Sequence, residues 1–178
     1  MALALGYWWD APPFARLEWT WGGVLAGIAA TAPLLIALRW GLTTRWEPAA
    51  RFARLVEERV GPLFAGAGRS ELILLALFAG VAEEALFRGV IQGALEARAT
   101  TGWAIGITAL LFGAAHWVTT TYAVLACLIG IYLGVLFHFT GNLLAPITTH
   151  ALYDLVALLV LARLKPSLAP FVRESGSP

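Results

Sequence analysis

Two pairs of ionisable side chains stand four residues apart in stretches that are otherwise apolar. Glu84 is followed by Arg88, and His150 is followed by Asp154. Residues at this spacing share one face of a helix, so a carboxylate can pair with a guanidinium or orient an imidazole. These residue types in this pattern indicate acid–base chemistry.

Glu83 is the candidate general base. It points about 100° away from Glu84 around a helix, and Phe87 rather than a basic residue stands four positions later. An unpaired carboxylate in apolar surroundings is protonated more readily than in water, which suits a base working near neutrality. The alternative is a purely structural bond to a neighbouring helix, which a neutral side chain would supply at lower cost.

The three histidines differ in what surrounds them. His116 closes the run Phe-Gly-Ala-Ala-His, whose small residues leave room for a substrate or a water molecule. On its own it is a weak indication, because a histidine at a helix end is usually an interface residue. His138 has no partner at helical spacing, and we expect it to have only an interfacial role.

The elements that must position these side chains are membrane helices. The chain of 178 residues is 60% hydrophobic and 13% charged, with a mean hydropathy of +0.77, whereas about a quarter of a soluble domain is charged. These values exclude a disordered chain and an ordinary soluble enzyme, and no run of like charges indicates a nucleic-acid partner. Charged groups inside a membrane are costly, so those that fall there are functional candidates.

Five stretches are long and apolar enough to cross the bilayer. They cover about residues 21–39, 71–95, 101–118, 122–139 and 143–164. Residues 47–60, ended by Gly61-Pro62, alternate apolar and charged faces and predict an amphipathic helix on the membrane surface, with a solvated connecting helix as the alternative. We therefore predict an all-α, polytopic membrane helix bundle that forms one domain over residues 1–178.

Basic residues predict the orientation. Six lie between the first two spans and three in the tail, whereas only Arg16 and Arg98 fall on the other side. This places the N-terminus outside and the C-terminus in the cytoplasm of a multi-pass cell-membrane protein. The first residues lack the basic leader and the long apolar run of a secretory signal, so we expect insertion through the protein's own spans. The dominance of arginine over lysine, with alanine-rich stretches, indicates a prokaryotic source.

The polar residues inside the spans form three motifs in a fixed order. They are E-E-x-x-x-R at 83–88, F-x-x-x-H at 112–116 and H-x-x-x-D at 150–154. Their order and placement resemble the CPBP family of intramembrane proteases, which groups CAAX prenyl endoproteases with bacterial bacteriocin-processing and immunity-related proteins. The resemblance covers about residues 71–159 and implies a protease-like core there.

This resemblance implies a role for each motif residue. Glu83 would act as general base on a water that His116 helps to hold. His150 and Asp154 would face the scissile carbonyl and its developing oxyanion. The residues that would support the site or guide the substrate are Glu84 and Arg88.

Asp154 departs from the asparagine that the third motif also allows. Asparagine can donate a hydrogen bond to an oxyanion, whereas an ionised aspartate cannot, so Asp154 would have to be protonated, orient His150 or bind a metal. The family is called a metalloprotease family, although a metal-free glutamate mechanism is also argued for it. A zinc ion and no metal therefore both stay open, the candidate ligands being His116, His150 and Glu83.

We expect an intramembrane endopeptidase whose partners are a peptide or membrane-protein substrate and the lipid bilayer. The alternative is a catalytically inactive family member that acts as a membrane scaffold or immunity-type binding protein, which the small size and Asp154 favour. A proton or ion carrier would also use intramembrane charges, but it does not explain the order of the motifs.

Overall fold

Helices form the regular structure of the chain, and the computed structural model describes residues 1–64 and 66–163. No strand occurs in these two ranges. The helices are α1 (Ala2–Trp9), α2 (Trp21–Thr43), α3 (Glu47–Arg59), α4 (Gly61–Phe64), α5 (Arg69–Glu84), a π-helical segment (Ala85–Gln92), α6 (Gly93–Glu96), α7 (Thr101–Ala115), α8 (Thr120–Thr140) and α9 (Leu144–Arg163). The predicted all-α class is confirmed.

Three of these helices, α2, α8 and α9, are long and apolar enough to cross a membrane. The predicted second span is not one α-helix, because it runs from α5 through the π segment into α6. The predicted third span is shorter than expected, since α7 ends at Ala115 and His116 caps it by bonding back to the Phe112 carbonyl. Position 164 and the tail residues Lys165 and Arg173, used above for the orientation, lie outside the described residues.

Glycines let α9 approach both α2 and α5 closely. A Cβ atom at Gly27 would lie 2.5 Å from the Cβ of Thr148, and one at Gly80 would lie 2.9 Å from the Cβ of Ala151. The hydroxyl of Thr149 also donates across the first of these contacts to the Gly27 carbonyl, at 2.9 Å. The helix that bears His150 is thereby held against the helix that bears the two glutamates.

The N-terminal segment is more ordered than the sequence indicates. The short helix α1, which the sequence did not predict, packs Ala2 and Leu5 against the core beside the π segment. After α1, Asn142 fixes the chain by donating to the Glu18 carbonyl at 2.8 Å and accepting from the Glu18 amide at 3.1 Å. The start of α2 is thus fixed to the turn between α8 and α9.

The amphipathic helix predicted near residues 47–60 is present as α3. None of its residues is buried, and its Phe52 ring lies 6.2 Å from the ring of Tyr122. The predicted stop at Gly61-Pro62 separates α3 from the short helix α4 rather than ending helical structure. The location of α3 on a membrane surface stays a prediction.

Candidate active site

The six predicted site residues converge from three parts of the chain. Glu83 lies at the end of α5, His116 follows the last residue of α7, and His150 lies on α9. The Oε2 atom of Glu83 is 3.4 Å from Nε2 of His116 and 4.0 Å from Nε2 of His150. The other members, which contact His150 directly or through one another, are Glu84, Arg88 and Asp154.

His150 is buried with a carboxylate on each ring nitrogen. Its Nδ1 atom is 2.7 Å from Oε1 of Glu84, and its Nε2 atom is 3.4 Å from Oδ2 of Asp154. Only the doubly protonated imidazolium can donate from both nitrogens. Asp154 can orient this ring, as the spacing predicts, but the shorter contact is with Glu84 and was not predicted.

Glu84 and Arg88 form a salt bridge that is completely buried. The Nη1 atom of Arg88 donates to Oε1 of Glu84 at 2.8 Å, and both side chains are 0% exposed. The Nη2 atom of Arg88 donates to the Gly130 carbonyl on α8, also at 2.8 Å. One oxygen of Glu84 therefore accepts from both the Arg88 guanidinium and the His150 ring, since Nδ1 of His150 contacts the same atom.

His116 turns one ring nitrogen towards Glu83 and the other towards the backbone. Its Nδ1 atom is 2.8 Å from the Phe112 carbonyl, which can only accept, so Nδ1 must carry a proton. The Phe112 ring stacks on the His116 ring at 4.4 Å and meets the His150 ring edge-on at 5.9 Å. Phe112 is therefore the aromatic wall of the site, and its place in the second motif was the available signal.

Glu83 is not isolated, contrary to the expectation from its own helix. Its partners come from the end of α7 and from α9. Residue spacing within a single helix does not reveal contacts between helices. The side chain is 31% exposed, but Oε2 is buried and accepts no hydrogen bond from the described residues. His138 lies apart from this cluster, with Nδ1 3.9 Å from Oε1 of Glu96.

The candidate zinc ligands do not form a metal-binding group. Within residues 1–64 and 66–163, no three His, Cys, Asp or Glu side chains are arranged to hold a metal ion. A zinc ligand offers a nitrogen lone pair at about 2.0–2.1 Å, whereas both nitrogens of His150 face carboxylate oxygens.

A sequence model of the family described as "Type II CAAX prenyl endopeptidase Rce1-like" matches residues 67–156. The match spans half of the chain and includes all three motifs, so the chain belongs to this family of peptide hydrolases. The family and the apolar helices together identify a membrane protein. No curated protein and no solved structure matches the chain.

Replacing Arg88 with Met should lower the free energy of unfolding by about 3–5 kcal/mol, because it removes the salt-bridge partner of a buried Glu84 carboxylate. The double replacement Glu84→Gln/Arg88→Met should recover a large part of this loss. Denaturant unfolding of the purified protein in detergent micelles provides the measurement.

Arg54→Met is the matched control, since Arg54 is an exposed partner of Glu47 at 3.8 Å. We expect it to change the unfolding free energy by less than about 1 kcal/mol. Equal losses at Arg54 and Arg88 would contradict the importance assigned to the buried pair.

Proposed function

We propose that the chain is an intramembrane endopeptidase in which Glu83 activates a water molecule for attack on a peptide bond. The observation that supports this most strongly is the position of Glu83 Oε2 beside the Nε2 atoms of His116 and His150, with no hydrogen bond from the described residues. The neighbouring Glu84 is held by Arg88 and His150, so it has no comparable freedom.

The proposed reaction begins with a water that donates one hydrogen to Glu83 and the other to Nε2 of His116. Because Nδ1 of His116 donates to a backbone carbonyl, the neutral ring presents Nε2 as an acceptor. Glu83 removes the proton as the water oxygen attacks the peptide carbonyl carbon. Glu83 then gives that proton to the leaving amine as the carbon–nitrogen bond breaks, which yields a carboxyl end and an amino end.

His150 stabilises the oxyanion in this proposal. Its Nε2 atom lies 4.0 Å from Oε2 of Glu83, so its Nε2–H group can reach the carbonyl that the water attacks. On the opposite side of the ring, the Glu84 carboxylate contacts Nδ1 and stabilises the positive charge of the imidazolium. Such a preorganised donor is worth most where water is excluded. Asp154 then acts as an acceptor that orients His150 before the substrate arrives, which removes the need for Asp154 itself to donate.

The proposed substrate is a peptide or a membrane-protein segment, and the bilayer is the other partner. The family name includes CAAX prenyl endopeptidases, so a prenylated peptide is one substrate to test beside an unmodified one. We propose that residues 71–159 form the protease core of a single domain that extends over the chain.

Replacing Glu83 with Gln should lower the cleavage rate by at least about a hundredfold, because an amide cannot accept the proton from water. Quenched-fluorescent peptides, with and without a farnesyl group on cysteine, would be incubated with purified protein in lipid nanodiscs. Glu58→Gln is the control, since this exposed carboxylate lies on α3.

Full cleavage by the Glu83→Gln variant would refute the proposed role of Glu83. A wild-type protein that cleaves neither kind of peptide, while remaining folded and inserted, would favour the scaffold alternative.

Asp154→Asn should keep at least about a tenth of wild-type kcat, because the amide oxygen can still accept from His150. Asp154→Leu should lose about a hundredfold, because the ring is then no longer oriented. The two rates are measured on the same peptide that the wild-type protein cleaves. Similar losses in both variants would contradict the orienting role.

We propose five membrane crossings, with the N-terminus outside and the C-terminus in the cytoplasm. Single cysteines introduced at Glu58 and at Ala99 in a Cys127→Ser background test this with a membrane-impermeant maleimide. In intact cells the cysteine at position 99 should react, and the one at position 58 should react only after permeabilisation. The reverse pattern would overturn the orientation.

A further inference from the structure

Four polar side chains, spaced four residues apart, extend from the candidate site along the helical stretch that includes the π segment. We call Glu84, Arg88, Gln92 and Glu96 the polar column. Gln92 is 0% exposed, and its amide nitrogen donates to Oε1 of Glu96 at 3.0 Å and to the Gly134 carbonyl at 3.1 Å. Arg16 from the N-terminal segment closes the column with a salt bridge to Glu96 at 2.6 Å. None of the three motifs includes Gln92 or Glu96.

The π segment explains how these four positions can remain on one side of the helix. In an α-helix, each step of four residues turns by about 40° beyond a full turn, so Glu96 would lie about 120° away from Glu84. The wider turns of a π-helix counteract this drift. The π segment, Ala85–Gln92, occupies most of the interval between the two ends of the column.

The backbone carbonyls of two glycines on α8 accept hydrogen bonds from successive members of the polar column. Arg88 donates to the Gly130 carbonyl and Gln92 donates to the Gly134 carbonyl, so one turn of the first helix corresponds to one turn of the second. A Cβ atom at Gly134 would lie 2.9 Å from Oε1 of Gln92. An alanine at this position would therefore have to displace the amide end of Gln92, which is buried and bonded to the Gly134 carbonyl.

Burying the polar column carries a desolvation penalty that apolar packing of the helix would avoid. Three of its buried atoms, Oε2 of Glu84, Nε of Arg88 and Oε1 of Gln92, have no hydrogen-bond partner among the described residues. Apolar side chains of similar size would fill the same space at lower cost. A polar residue as deep as Gln92 is best explained by what it positions.

We propose that Gln92 is a positioning residue for the protease. By bonding to Gly134 it fixes the register of the π segment against α8, which keeps Arg88 on Gly130. Arg88 in turn fixes the Glu84 oxygen on which the Nδ1 side of His150 rests. The kinetic part of this inference rests on the proposed function, whereas the structural part does not.

Two variants break the contact from opposite sides. Gln92→Met keeps the length of the side chain but removes both of its hydrogen bonds, and Gly134→Ala pushes the amide away from the carbonyl. The matched controls are Thr108→Val, which removes a buried hydroxyl without a hydrogen bond among the described residues, and Gly106→Ala, which meets no atom within 4 Å.

The ¹⁵N NMR chemical shifts of ¹⁵N-histidine-labelled protein measure the effect of these variants on His150 without any substrate. The chain has three histidines, so a His138→Gln variant and a His116→Gln variant assign the signals. We expect the Nδ1 signal of His150 to shift in Gln92→Met and in Gly134→Ala, and to stay unchanged in both controls. An unchanged His150 signal in Gln92→Met would overturn the inference, and Gly134→Ala answers the same question if Gln92→Met does not fold.

Kinetics on a peptide that the wild-type protein cleaves provide the second measurement. A small displacement of catalytic groups lowers kcat steeply, so we expect about a tenfold or larger loss in kcat with KM changed by less than about twofold. The double variant should lose no more than the worse single variant, because both break one contact. An unchanged kcat, or losses that multiply, would contradict the positioning role. If the wild-type protein cleaves no peptide, the proposed function fails while the NMR result still decides whether Gln92 positions His150.

Discussion

One oxygen atom of Glu84 holds the structure of the site together. It accepts from Arg88 at 2.8 Å and from His150 at 2.7 Å, and all three side chains are almost completely buried. In an apolar bundle an unpaired charge would cost several kcal/mol. The helices that supply these partners must therefore meet at this point for the charges to be tolerated at all. Because Arg88 also bonds to α8, this one carboxylate links three parts of the bundle.

The close approach of the helices depends on residues without side chains. Gly80 allows α9 to reach α5, which brings His150 within hydrogen-bond distance of Glu84. Gly130 and Gly134 likewise offer their carbonyl oxygens to side chains from the neighbouring helix. Small residues thus have two functions in this bundle, since they permit packing and they expose backbone acceptors to buried polar groups.

Much of this arrangement could be predicted, and the rest could not, for a physical reason. Periodicity reveals contacts within one helix, so it predicts the pairing of Glu84 with Arg88 and the proximity of His150 to Asp154. The contact between Glu84 and His150 joins residues 66 positions apart, and it depends on how α5 and α9 cross. The π segment and α1 also escaped prediction, because hydropathy does not distinguish π from α turns and α1 is shorter than a span.

Glu83 and Glu84 are adjacent and chemically identical, but their surroundings give them different contacts. Glu84 is completely buried and its Oε1 oxygen accepts from both Arg88 and His150, so its position is fixed. Glu83 points about 100° away from Glu84 around the helix and is partly exposed. Its contacts with imidazole nitrogens among the described residues are longer, at 3.4 and 4.0 Å. Glu84 also has a buried oxygen without a partner, its Oε2, so the difference lies in the guanidinium: Arg88 donates directly to Glu84, whereas no described residue donates a hydrogen bond to Oε2 of Glu83. In the proposed reaction, Glu84 is therefore the carboxylate that orients His150, and Glu83 is the carboxylate that accepts a proton.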